Sequence, residues 1–178
     1  MGFLHHLRTK KRTADSASAL YIASVQQSRL EKFYTEWGVP DNVDGRFDLI
    51  VLHLMLLIRR LRPQAEETKD LSQEILNIFF ADMDRNFREM GVGDMSVGKH
   101  VKKAAKAFYG RAEIIEEGLD GSKDALETSL METLYRSVDV TKGDEKKMSM
   151  YVIETNNYLS QQSLKHILSG QIYFLADV

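Results

Sequence analysis

Apolar residues recur through most of this chain at intervals of three and four, which is the spacing of one face of an α-helix. This spacing predicts a first amphipathic helix over residues 15–37, which Asp15 or Ser16 would cap. Gly38 and Pro40 follow and are expected to stop it. Only two prolines interrupt the 178 residues, which argues against a turn-rich β fold.

The second predicted helix is apolar around its whole circumference. Within residues 49–58 His53 is the one polar side chain, whereas a bilayer span would need about 20 apolar residues. We therefore expect a buried central helix that Pro63 ends. Because no second histidine or acid lies near it in sequence, His53 is interpreted as a core histidine with satisfied hydrogen bonds. Three residues are suited to cap the start of this helix: Asp41, Asn42 and Asp44.

Two more long helices follow. Helical spacing over residues 67–90 predicts the third, and Gly91 is its natural stop. The fourth is predicted over residues 96–117, with Ser96 as its cap, and it has two distinct faces. One face carries apolar side chains, namely Val101, Ala104, Ala105 and Phe108. The other carries lysines, namely Lys99, Lys102, Lys103 and Lys106.

In the last third of the chain the spacing predicts shorter helices. Ser122 would cap one of them, and Gly143 precedes a second. Ser160 opens a last one that Gly170 ends, after which residues 171–175 are expected to be extended. The chain contains no internal repeat, low-complexity run or Pro-rich linker. The predicted fold class is therefore all-α, a single-domain bundle of about six to seven helices around a central apolar helix.

This bundle is expected to occupy residues 15–178, behind a basic and flexible N-terminal tail of residues 1–14. The tail contains no acid and four bases, namely Arg8, Lys10, Lys11 and Arg12. Neither a long apolar region nor a cleavage-site pattern follows it, so the tail does not predict a secretory signal.

Charge is distributed unevenly, although the formal net charge is only −2. Residues 95–112 carry five bases and no acid, whereas residues 113–127 carry six acids and one lysine. We hypothesise that the four lysines and Arg111 form a surface that docks on RNA, anionic lipid or an acidic protein patch. A solvated helix face is the alternative interpretation. Because aromatic residues do not alternate with the lysines, specific DNA binding is not expected.

Candidate catalytic patterns fail on their chemistry. Residues 93–99 fit the GxxxxGK pattern of a phosphate-binding loop, but His100 stands where a Ser or Thr must coordinate magnesium. Asp82 and Asp84 point in different directions on a helix, and Arg85 is at ion-pair spacing from Asp82. The chain has no cysteine, no metal-ligand array and no nucleophile motif, so we predict no enzyme activity, metal or cofactor.

Two stretches of the chain carry a family likeness. The first stretch contains FYTEWGVPD at 33–41 and DGRFD at 44–48. The second contains FADMDR at 80–85, REMGVGD at 88–94, GK at 98–99 and FYGR at 108–111. Together they resemble the ubiquinol-cytochrome c chaperone family. The resemblance is clear over residues 20–111 and loose over the last third, and the family has no catalytic residues to transfer.

The resemblance implies a chaperone for assembly of respiratory complex III. Such a protein would hold newly made cytochrome b, or another hydrophobic membrane-protein client, partly at the ribosomal exit. Bacterial homologues are expected in the cytoplasm, peripheral to the inner membrane. Two alternatives stay open, a small helical enzyme acting on a lipid or quinone and a ribosome- or RNA-associated factor without a membrane-protein client. The enzyme would need a polar pocket with clustered histidines or carboxylates.

Candidate partner-binding residues come from the resembling stretches and from the lysines. For Tyr34 and Trp37 packing in the core is an alternative role, because amphipathic aromatic residues serve both purposes. The charged residues are expected either to brace the helices or to line a binding cleft. The full set is Tyr34, Trp37, Arg46, Phe47, Asp82, Asp84, Arg85, Lys99, Lys102, Lys103, Lys106 and Arg111.

Overall fold

The computed structural model describes residues 2–138 and 144–175, with side chains from residue 10 onward. Within these ranges the regular elements are α-helices and one 3-10 turn, without a strand. The helices are α1 (Gly2–Ser28), α2 (Lys32–Thr35), α3 (Val43–Leu61), α4 (Ala65–Glu89), α5 (Asp94–Asp120), α6 (Lys123–Thr133), α7 (Asp144–Gln161) and α8 (Leu164–Leu168). The all-α prediction is confirmed.

Helix α3 lies in the middle of the bundle. Every residue from 51 to 57 is buried, and the helix packs against α1, α4, α5 and α7. Its start is fixed by Asn42, whose side chain accepts a hydrogen bond of 2.9 Å from the backbone N–H of Gly45. Its end is a 3-10 turn at Arg62–Gln64 that contains Pro63, and α4 begins directly afterwards.

Helix α1 differs from the prediction at both ends. It begins at Gly2 rather than at residue 15, because no proline or glycine lies between residues 3 and 28 to stop it. It ends at Ser28, and the chain turns into the separate four-residue helix α2. The turn allows Phe33 and Trp37 to point into the core. The side chain of Arg8 lies outside the described residues, and the flexibility of residues 1–14 stays a prediction.

Helix termini follow the predicted signals in part. Ser122 caps α6 as expected, accepting a hydrogen bond of 3.2 Å from the N–H of Ala125. Gly91 and Gly170 end α4 and α8 at φ values of +86° and +85°. Ser96 and Ser160 do not start helices, because α5 begins at Asp94 and Ser160 lies inside α7. Both hydroxyls donate to backbone carbonyls three residues earlier, so they are satisfied without capping. Gly143 lies outside the described residues.

Candidate functional site

An open groove of about 520 Å³ lies between the start of α3, the end of α4 and the first half of α5. Its floor is apolar and is made of Phe47, Ile50, Met83, Phe87 and Ala104. Its rim exposes two apolar side chains, Val43 with 71% and Met90 with 58% of its surface accessible. Exposed apolar side chains that border a concave apolar surface are typical of a site that binds a hydrophobic partner.

The charged residues beside the groove are mostly paired with each other. The guanidinium of Arg46 lies 2.7 Å from the carboxylate of Asp41 and faces the ring of Tyr34 at 5.9 Å. The guanidinium of Arg111 lies 2.8 Å from Asp48 and faces the ring of Phe47 at 4.9 Å. Arg111 is therefore partly buried at the groove rather than displayed with the lysines, which corrects its predicted position.

Asp48 is the hub of this charge network, with 2% of its side chain exposed. Burial raises its pKa, while Arg111 and Arg136 favour the ionised form. Arg136 contacts Asp48 and also lies 3.5 Å from Asp44 on the first turn of α3. Three parts of the chain are thereby joined at the groove, namely the start of α3, the middle of α5 and the segment that follows α6.

The four lysines of α5 are all exposed, and we call them the lysine face: Lys99, Lys102, Lys103 and Lys106. None of them forms an ion pair with a residue that the structure describes. Lys103 also lines the groove, so the two surfaces meet at this residue. The predicted separation of a lysine face from an apolar face on this helix is confirmed, since Ala104 and Phe108 are buried.

The acidic candidates on α4 brace helices. Asp82 accepts a hydrogen bond of 2.8 Å from the hydroxyl of Tyr21 on α1 and lies 3.5 Å from Arg85. Asp84 lies 2.6 Å from Arg88, which also pairs with Asp94 at the start of α5. These contacts link α4 to its two neighbours. Of the two predicted roles, bracing is the one that this geometry supports.

The aromatic candidates divide between surface and core. Trp37 is only 6% exposed and packs against Phe33 and Tyr151, with ring centres 5.2 and 5.5 Å away. Tyr34 is partly buried, and its hydroxyl donates to the carbonyl of Ser28. Trp37 is thus a core residue, whereas Phe47 lines the groove as a binding role would require.

The central histidine behaves as predicted. Its Nδ1 lies 2.7 Å from the carbonyl oxygen of Leu49, which can only accept, so Nδ1 carries the proton. Its Nε2 then accepts from the hydroxyl of Tyr151 at 2.7 Å, and Tyr151 accepts from the side-chain amide of Gln27. Burial lowers the pKa of His53 to about 4, so the ring is neutral near pH 7.

The catalytic and metal-binding patterns considered from the sequence do not form a site among the described residues. These residues contain no group of three or more side chains able to hold a metal ion. Gly98 and Lys99 lie within α5, so the GxxxxGK pattern forms the start of a helix rather than a phosphate-binding loop. The ring of His100 packs on Phe87 at 5.4 Å and has no carboxylate partner in this part of the chain. None of the helices in the described ranges has both the length and the apolar character needed to cross a bilayer.

Several residues that shape the groove did not stand out in the sequence. Val43, Ile50 and Met90 belong to helical patterns, and these patterns do not reveal which apolar side chains stay exposed. Met95 is a similar case, with 99% of its surface accessible. A usable signal existed, because Met90 and Met95 border the turn at Gly91 and Gly93, where polar residues are usual.

A helical bundle with an open apolar groove bordered by exposed apolar side chains is typical of a protein that binds a hydrophobic partner. The chain belongs to the ubiquinol-cytochrome c chaperone family, whose model matches residues 35–174. The match includes the last third of the chain, where the resemblance in sequence was loose.

Two similar proteins carry the name ubiquinol-cytochrome c reductase complex assembly factor 1. The one from Mus musculus is 21% identical over 97% of this chain and 59% of its own length. The one from Homo sapiens is 23% identical over 97% of this chain and 58% of its own length. The chain thus spans a little under three fifths of each relative. The crystal structure of the Cbp3 homolog from Brucella abortus matches the fold with a TM-score of 0.86, 28% identity, and coverage of 98% of this chain and 97% of that one.

Proposed function

We propose that this protein is an assembly chaperone for ubiquinol-cytochrome c reductase, respiratory complex III, and that its client is newly made cytochrome b. Membership of the chaperone family and the names of its relatives support the assembly role. The observation that carries the client-binding role is the groove, with its apolar floor and the exposed rim residues Val43 and Met90.

The chemistry of the groove suits a hydrophobic helical segment. A membrane protein before insertion presents apolar side chains all round its helices, and an apolar groove between helices can cover one side of such a segment. Met83 and Met90 add side chains that adapt to different shapes, since methionine is unbranched and polarisable. The client would be held by burial of apolar surface, which needs no specific sequence.

The proposed location is the cytoplasm, peripheral to the inner membrane, where a membrane-protein client is made and inserted. Contact with the ribosome is part of the same proposal, because the chaperone would bind the client as it leaves the ribosomal exit. Neither role requires the protein to span the bilayer.

The test of this function is deletion in a host that has complex III, with measurement of the cytochrome b level. We expect the deletion to lower cytochrome b and assembled complex III, and wild-type amounts of both would overturn the proposal. Expression of the double variant Val43→Glu, Met90→Glu should leave cytochrome b near the level of the deletion strain, because carboxylates on the rim oppose binding of apolar surface.

A matched control is the double variant Ile22→Glu, Met150→Glu. These residues are 50% and 45% exposed on α1 and α7, outside the groove lining. We expect this control to restore cytochrome b like the wild type. If neither variant restores cytochrome b, the defect is due to lost stability or solubility. If both variants restore it, the groove is not the client-binding site. Recovery of ribosomes without cytochrome b in a pulldown would instead favour a ribosome-associated factor.

A further inference from the structure

An apolar side chain, Met95, lies on the first turn of α5 at the N-terminal end of the lysine face. At 3.6 residues per turn, Met95 and the four lysines fall within an arc of about 100° around the helix axis. Met95 is 99% exposed and all four lysines are exposed. Over residues 95–106 this side of the helix therefore presents one apolar side chain followed by four cations, and the exposed acids Glu113, Glu117 and Asp120 continue the same side.

This arrangement works against the stability of the helix that carries it. Each of the four lysines has two others at the i±3 and i±4 positions, where like charges repel. They also occupy the first half of α5, nearest the positive end of the helix dipole. No acid among the described residues forms an ion pair with them, so this repulsion is not offset by pairing within the described structure. The charge of this cluster is suited to an anionic surface outside the protein.

The neighbouring residues distinguish between two kinds of anionic surface. Single-stranded nucleic acid is usually held by aromatic side chains between the bases, and no Phe, Tyr or Trp lies between Met95 and Lys106, while the ring of His100 packs on Phe87. A bilayer is contacted by lysines at the headgroups and by an apolar side chain at the boundary with the acyl chains. The exposed Met95 beside the lysines fits the second pattern.

We propose that the lysine face docks on the anionic surface of a lipid bilayer, with Met95 inserted between the headgroups. Lys103 belongs both to this face and to the groove lining, so docking brings the groove to the membrane surface. The inference rests on the proposed function, because a groove at this position would meet a membrane protein as it enters the bilayer. It adds the lipid as a partner and fixes which side of the protein faces the membrane.

The experiment is co-sedimentation of the full chain with vesicles of phosphatidylcholine containing about one third phosphatidylglycerol. We expect binding that is absent on pure phosphatidylcholine and is weakened by salt. Each lysine near an anionic bilayer contributes about fivefold to the partition coefficient, so Lys99→Glu, Lys102→Glu, Lys106→Glu should lower it more than about 100-fold. The charge-matched control is Lys69→Glu, Lys146→Glu, Lys165→Glu, which changes three exposed lysines on three other helices and should bind like the wild type.

Insertion is measured separately, because the chain contains no native cysteine. Met95→Cys labelled with an environment-sensitive fluorophore should shift to the blue on anionic vesicles, whereas the label on Met150→Cys should not. Equal loss of binding in both lysine variants, or no shift at position 95 in bound protein, would overturn the proposal. Retained vesicle binding with lost ribosome binding in the first variant would assign the face to nucleic acid instead. No client or ribosome is present in the vesicle assay, so its failure leaves the deletion test of the chaperone role unaffected.

Discussion

Asp48 shows how one buried side chain can organise a binding surface. Its carboxylate contacts guanidinium groups of Arg111 on α5 and Arg136 after α6, and it lies on the second turn of α3. A lone buried carboxylate would be costly, and the two arginines make its ionised form acceptable. The same contact stretches Arg111 across the ring of Phe47. Two of the motifs that carry the family likeness, DGRFD at 44–48 and FYGR at 108–111, thus meet at one ion pair beside the groove.

His53 sets a limit on stability in acid. Its pKa is about 4 in the folded protein and about 6.5 in an unfolded chain. Between these two pH values His53 binds a proton in the unfolded state but not in the folded state. The contribution of His53 to stability is therefore complete above pH 6.5 and is lost as the pH falls. We expect the free energy of unfolding to decrease by about 2 kcal/mol on going from pH 7.5 to 5 through this residue alone.

The measurement is chemical denaturation across that range. His53→Gln should flatten the pH profile, because glutamine can bond both Leu49 and Tyr151 without titrating. His100→Gln is the control, since it makes the same substitution at an exposed histidine outside the core. An unchanged slope in His53→Gln would show that other groups cause the acid sensitivity.

At the scale of the elements, the groove depends on how α3 begins. The chain folds back before α3, and a Cβ placed on Gly45 would lie 2.0 Å from the carbonyl oxygen of Pro40. This close approach of backbone to backbone positions Val43 and Phe47 at the groove. Glycine is thus required here by space, since its φ is not in the left-handed region.

Two glycine variants separate this close approach from ordinary helix propensity. Gly45→Ala should destabilise the fold by about 2 kcal/mol, because the Pro40 carbonyl cannot move aside as a flexible side chain could. Gly98→Ala, inside α5 with no atom within 4 Å of a Cβ there, should stabilise it by about 0.5–1 kcal/mol. Both effects are read from urea denaturation midpoints, and a stabilising Gly45→Ala would contradict the close approach.

At the scale of the whole molecule, the last third of the chain is tied to the first by buried contacts. The hydroxyl of Tyr135 donates to the carbonyl of Trp37 at 2.7 Å, and Tyr151 packs on the Trp37 ring. At the opposite end of α3, Arg60 bonds the carbonyl oxygens of Leu159 and Gln162 at the end of α7. The C-terminal helices therefore belong to the same core as α3.

We expect unfolding to be a single cooperative transition. Trp37 is the only tryptophan, so its fluorescence reports the junction between the two ends of the chain, while circular dichroism reports all the helices. The two signals should have the same denaturant midpoint. Tyr135→Phe removes one buried hydrogen bond and should lower both midpoints together, by about 1 kcal/mol in free energy of unfolding. A fluorescence change that precedes the loss of helix would show that the C-terminal helices separate first.

The sequence by itself determined the elements and their order. Periodicity and the capping signals at Asn42, Gly91 and Ser122 are local, so they predicted the long helices to within a few residues at most ends. A helix apolar on all sides predicted a central position, and His53 inside it was interpreted as a satisfied core residue. The separation of the lysines from the apolar side of α5 could also be predicted from the sequence, because it depends on helical geometry alone.

Only the tertiary structure decided which residues form a site. Trp37 is buried because the chain breaks at Ser28, and Arg111 is held in an ion pair because Asp48 lies within reach on another helix. Val43 and Met90 are far apart in sequence and border one groove through the packing of α3 against α4 and α5. Such contacts depend on crossing angles and on which side chains fill the core first, and these are properties of the packed bundle rather than of any segment.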